Sequence, residues 1–133
     1  MKKLLTVCLM FALVCAVAYG KKFQMTAATI VPGARGEVEV GKDKNGNTKL
    51  KMTVQYLASP DALTPPAAAY VVWLQERGGT PENQGQLKVD KKLKASFETT
   101  TPSRNFDLFV TAEQEASAKA SSGPEVLRTS IQR

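Results

Sequence analysis

The chain has 133 residues, a formal net charge of +6, two cysteines and no histidine. Without histidine it lacks the usual general base for a serine or threonine nucleophile and the usual nitrogen ligand for zinc or copper. Its length fits a single domain with a sizeable core and leaves little room for a second.

In chain order, the N-terminal segment reads as a signal peptide. Lys2 and Lys3 form a basic start, and residues 4–17 are apolar except for Thr6. That run is shorter than the roughly 20 residues needed to cross a hydrocarbon core of about 30 Å, which argues against a retained anchor. Ala16-Val17-Ala18 and Ala18-Tyr19-Gly20 both offer the small-x-small pattern of a cleavage site, and cleavage before Lys21 is preferred to cleavage before Tyr19. Cys15 raises the alternative of a lipoprotein, but bulky Val14 stands where such sites require a small residue. The expected division is therefore 1–20 signal peptide and 21–133 mature domain. Cleavage removes Cys8, Cys15, Lys2 and Lys3, so the mature chain of 133 less 20, or 113, residues carries +4 and no thiol. An exported domain of this kind rests on its apolar core and not on disulfides.

The mature part alternates apolar and polar residues in short segments, with no sustained helical stripe, and predicts an all-β fold. Phe23 and Met25, ahead of Pro32-Gly33, suggest an edge strand. Val38 and Val40 share one face while Glu37 and Glu39 share the other, and Leu50, Met52, Val54 and Tyr56 resume the inward parity. Between them, Asn45-Gly46 predicts a hairpin with a type I′ turn, which needs positive φ at both central residues. Residues 58–68 contain Pro60, Pro65 and Pro66 and are expected to pass between sheets, since proline cannot donate to a central ladder. Residues 70–74 are apolar on both faces, as in a strand covered on each side. Further strands are predicted at 86–89, 93–97, 106–111 and 126–131, with 116–123 as a loop closed by Pro124. About seven strands with regular turns fit a two-sheet, immunoglobulin-like β-sandwich, with a small open barrel as the alternative.

Candidate chemistry is sparse. A serine-lysine pair is conceivable, but no G-x-S-x-G turn presents a nucleophile. Asp43-Lys44-Asn45-Gly46-Asn47 superficially matches a calcium loop, yet its glycine is fourth and not sixth, and Val54 stands where a bidentate glutamate is required. The carboxylate pairs Glu37 with Glu39 and Glu113 with Glu115 fit solvated strand faces better than a glycosidase site. Tyr56, Tyr70 and Trp73 suggest a sugar-binding platform, but Trp73 sits in the most apolar strand, where an immunoglobulin-like sandwich buries a tryptophan. Lysines cluster at Lys42 and Lys44, at Lys49 and Lys51, and at Lys88, Lys91, Lys92 and Lys94; they fit turns and solvated faces, with contact to an anionic surface as the rival. No catalytic, cofactor-binding or metal-binding residue is assigned and no cofactor is expected. Nucleic-acid binding is disfavoured without interleaved aromatics or an arginine-rich stretch. If a surface is functional, it is expected in the long loops 59–68 and 113–124 at one end of the scaffold.

Tyr70-Val71-Val72-Trp73-Leu74, Gly78-Gly79-Thr80-Pro81, Gly85-Gln86-Leu87, the run from Phe106 through Glu113, and Ser121-Ser122-Gly123-Pro124 together resemble the extracytoplasmic C-terminal domain of anti-sigma-K factors. The resemblance spans about residues 70–131. It implies a β-sandwich outside the cytoplasmic membrane that binds or senses something, with no catalytic residues to carry over. No sigma-binding segment precedes the apolar run, so sigma-factor inhibition is not implied. The expected function is an exported, non-catalytic binding or sensory domain, secreted or periplasmic, whose partner is a protein or envelope component and which meets the membrane only through its signal peptide. The alternatives are a structural envelope protein without a dedicated ligand and a small hydrolase.

Overall fold

The computed structural model describes residues 20–133. The expected signal peptide and its cleavage sites therefore lie outside the described residues, apart from Gly20. The described chain is all-β: β1 (Lys22–Ala27), β2 (Arg35–Lys42), β3 (Thr48–Gln55), β4 (Ala69–Glu76), β5 (Glu82–Leu87), β6 (Ala95–Thr101), β7 (Asn105–Glu113) and β8 (Glu125–Gln132), with one 3₁₀ turn at Pro60–Ala62.

These strands form one antiparallel sheet in the order β5-β4-β7-β8-β1-β2-β3-β6, curled until its two edges, β5 and β6, approach each other. The result is a nearly closed barrel. The predicted all-β class holds, but eight strands in a continuous sheet replace the expected seven in two separate sheets. The continuity comes from β1. Its first half pairs with β2 from Lys22↔Glu39 to Met25↔Gly36, and its second half pairs with β8 at Thr26↔Arg128 and Ala27↔Leu127. The segment expected at an edge is thus the strand that joins the two halves. At the open seam the Phe97 ring lies over Gly85.

The interior follows from the period of two. Val38 and Val40 from β2, Leu50, Met52 and Val54 from β3, Tyr70, Val72 and Leu74 from β4, and Leu108, Val110 and Ala112 from β7 form one buried cluster with Met25, Leu127 and Ile131. The outward residues of β2 and β3 are polar, and Lys22 reaches Glu37 and Glu39 at 3.5 and 3.9 Å. The proline-containing segment 56–68 runs from β3 to β4, strands separated by four others in the sheet. It crosses the end of the barrel and drops Leu57, Leu63 and Ala67 into the core. The Tyr70 hydroxyl donates to the Ala58 carbonyl at 2.6 Å and ties that crossing to the interior.

Trp73 is fully buried, as expected, but on the other side of the sheet. With Val71 and Phe109 it forms a separate outer cluster against which Ala118 packs. Its cover is the loop between β7 and β8, not a second sheet. Asn83 holds that cover by donating to the carbonyls of Ala116 and Ala118 at 3.0 and 2.8 Å.

The strand boundaries shift at two places. The strand predicted at 86–89 is β5, six residues ending at Leu87, and the one predicted at 93–97 begins at Ala95 as β6. Leu93, expected in a strand, lies in the turn before it. The Asn45-Gly46 hairpin exists, but only Gly46 has positive φ, at 81°. The Gly46 amide donates to Asp43 O and the Asp43 amide to Asn47 O, which is a type I turn followed by a left-handed residue and not the expected type I′ turn.

Candidate functional site

Antiparallel alternation sends the loops 28–34, 56–68, 88–94 and 114–124 to one end of the barrel and the hairpin 43–47, the 77–81 turn, Gly20 and Arg133 to the other. The two long loops singled out from the sequence therefore do share one end. They also touch: the Ala68 amide donates to Glu113 O at 3.0 Å, and the Gln114 side-chain amide donates to Pro66 O, also at 3.0 Å.

Among the described residues, the three large hydrophobic side chains that are conspicuously exposed, Ile30, Tyr56 and Leu93, lie at this end, at 42, 60 and 43 % exposure. Ile30 projects from the β1–β2 connection, whose neighbours Val31 and Ala34 are buried beneath it. Tyr56 follows β3 and Leu93 precedes β6. Continuing the β3–β6 register beyond Val54↔Ala95 sets Tyr56 opposite Leu93, and the Leu57 amide donates to Leu93 O at 3.1 Å.

Tyr56 and Leu93 are also the two non-glycine residues with positive φ among the described residues, at 58° and 61°. For bulky side chains such conformations cost on the order of 1–3 kcal/mol and persist where the surroundings impose them. At Tyr56 the reason is local: the reversal lets Leu57 turn into the core. At Leu93 an internal comparison is available.

The turn Asp90-Lys91-Lys92-Leu93-Lys94 repeats the hydrogen-bond scheme of Asp43-Lys44-Asn45-Gly46-Asn47. In each, the aspartate amide donates to the carbonyl four residues on and its carbonyl accepts from the amide three residues on. In each, its Oδ1 accepts from the amides two and four residues on, at 2.9 and 2.8 Å for Asp43 and at 2.8 and 3.0 Å for Asp90. The Lys94 amide chiefly holds the Asp90 carboxyl below the usual carboxylate range, with partial burial opposing and the Lys92 amide and both ammonium groups assisting. Burial would raise the Asp43 carboxyl, but the amides of Asn47 and Asn45, with the Asn47 side chain and Lys49, outweigh it. The two turns differ at the left-handed position, where one has Gly46 and the other an exposed leucine. Lys88, Lys91, Lys92 and Lys94 are all exposed around it.

The other sequence candidates are dispersed. Tyr70 is inside the barrel, Trp73 outside it under a loop, and Tyr56 at the rim, so no aromatic platform forms. Glu37 and Glu39 face Lys22. Glu113 is buried and Glu115 exposed. Among the described residues no group of three or more histidine, cysteine or acidic side chains gathers as a metal site, and the Asp43 carboxylate is engaged by the amides of its own turn.

Sequence reading missed the role of Glu113. Its carboxylate accepts from Thr111 Oγ1, from Ser122 Oγ at 3.1 Å and from the Gly123 amide at 2.9 Å, while Trp73 Nε1 donates to Thr111 Oγ1 at 2.7 Å. This chain of donors pins both ends of loop 114–123 over Trp73. Gly123 is needed there because a Cβ would sit 1.8 Å from Ala112 O. Next to it, Arg128 stacks 4.3 Å from the centroid of Phe109 and pairs with Asp107 at 2.9 Å and Glu125 at 2.7 Å. Set against known proteins, the chain matches no family model and no curated protein.

Proposed function

We propose that the mature domain is an exported, non-catalytic binding module that meets its partner with the loop-bearing end of its barrel. The observation that carries this reading is Leu93. A glycine at the equivalent position of the sister turn relieves the same backbone conformation, so the leucine is held against local stability and its side chain is held in solvent. Strained, exposed residues of this kind concentrate at functional surfaces, and loops on a rigid scaffold are where binding is usually placed. The N-terminal basic and apolar run supports export. The resemblance of residues 70–131 to the outer domain of anti-sigma-K factors supports a sensory use outside the cytoplasmic membrane. The lack of histidine, and the engagement of Thr111 and Ser122 by Glu113, support a non-catalytic role.

The test compares the mature domain with its Leu93→Gly and Tyr56→Gly variants for retention on an envelope fraction containing both membranes and soluble proteins. Lower retention of the variants, with denaturant midpoints at least equal to that of the parent for Leu93→Gly, is the expected result. Equal retention of all three proteins would remove the loop-bearing end as the binding surface.

A further inference from the structure

We infer that the occupant of this end is an anionic lipid bilayer surface, an inference that rests on the binding role just proposed and names its partner. Two features of the end point to a membrane plane. The exposed apolar side chains gather at one rim, with Tyr56 opposite Leu93 across the extended β3–β6 register. They lie on three connections of that rim: Ile30 in the β1–β2 connection, Tyr56 after β3 and Leu93 before β6. Apolar tips carried on one end of a rigid barrel can enter a planar interface together. Tyrosine and leucine among lysines are also the composition of interfacial anchors, in which the rings and aliphatic tips sit at the acyl boundary and the cations at the headgroups.

The second feature is charge. Residues 88–94 hold four lysines against one aspartate, a local charge of +3, and the carboxylate of that aspartate is turned onto the amides of its own loop. Lys88, Lys91, Lys92 and Lys94 are exposed along the loop that carries Leu93, Lys92 and Lys94 also interacting with the Asp90 charge. Their stems supply further apolar cover. Membrane contact is then a property of the folded domain and not only of its leader.

The experiment is co-sedimentation of the mature protein, beginning at Lys21, with vesicles of phosphatidylcholine alone and of phosphatidylcholine with phosphatidylglycerol, at low and at high salt. Binding is expected to the phosphatidylglycerol vesicles only and to weaken with salt. Replacing Lys91 and Lys92 by alanine is expected to lower partitioning about five-fold per lysine, and Leu93→Gly to lower it roughly five- to ten-fold through lost apolar contact. Folding of each variant is checked by its near-ultraviolet circular dichroism.

A control removes charge from the opposite end, where Lys21, Lys42, Arg104 and Arg133 line a groove of about 410 Å³. Lys42→Ala with Arg104→Ala is expected to leave partitioning within two-fold. A loss equal to that of the loop variants would overturn docking by the loop end and leave only unoriented charge attraction. No binding to phosphatidylglycerol vesicles, while envelope retention still depends on Leu93, would overturn the lipid partner and keep the binding end. Absence of both effects would overturn the two readings together.

Discussion

Leu93 and Gly46 occupy the same place in two turns of the same geometry, and the difference between them is the most informative single substitution in the molecule. Leu93→Gly relieves the left-handed strain, in part offset by the greater freedom of glycine in the unfolded chain. The variant is expected to unfold at an equal or higher urea concentration, by up to about 1 kcal/mol. Trp73 was readable as buried from its apolar neighbours but not as lying outside the barrel, because alternation assigns parity and not which side has the larger core. Trp73→Ala is expected to cost about 3–5 kcal/mol in urea denaturation and to loosen the loop above it. Tyr70 offers a test by pH. Burial pushes its phenol up to about 12, against about 10 in an unfolded chain. The folded state therefore holds its proton more tightly, its stabilising effect is complete below pH 10, and it is lost as pH rises from 10 towards 12. Thermal melts of Tyr70→Phe should show a shallower decline across that window than the parent.

Among the elements, the β2–β3 hairpin was legible because turn residues separate two clean alternations. The β5–β6 connection was not, because Leu93 continues an apolar pattern and its turn carries no glycine; the aspartate four residues before Lys94, as Asp43 is before Asn47, was the available signal. The β7–β8 loop was recognisable as a loop from its serines, glycine and proline. Its function as a cover was hidden, since it depends on a buried carboxylate whose partners, Ser122 and Gly123, lie nine and ten residues away. Glu113→Ala leaves Thr111, Ser122 and Gly123 without their acceptor. The expected cost is about 1–3 kcal/mol, accompanied by faster amide exchange in 114–123 while β2 and β3 stay protected.

At the level of the molecule, the strand content and the shared end of the long loops followed from pattern, whereas the closure of the sheet did not. Short alternating strands suit a sandwich and a barrel equally. What decides between them is that β1 changes partner midway, between Met25 and Thr26, and no local residue pattern announces a strand that pairs on both sides. The first and last strands thereby become neighbours, and Thr26 lies opposite a residue 102 positions away, Arg128. Deletion of residues 125–133 is thus expected to abolish cooperative unfolding altogether instead of trimming an end, as followed by loss of a sigmoidal melt.

Pairing across such a separation is the costliest loop to close and completes late in folding. A polypeptide made from its N-terminus delivers β1 first and its last partner only when the whole chain has emerged. Until then half of β1 offers bare amides and carbonyls beside an unfilled core, a state open to mispairing with another copy. Yield of this domain from a cell should accordingly respond to chaperone capacity more than to small gains in the stability of the finished barrel.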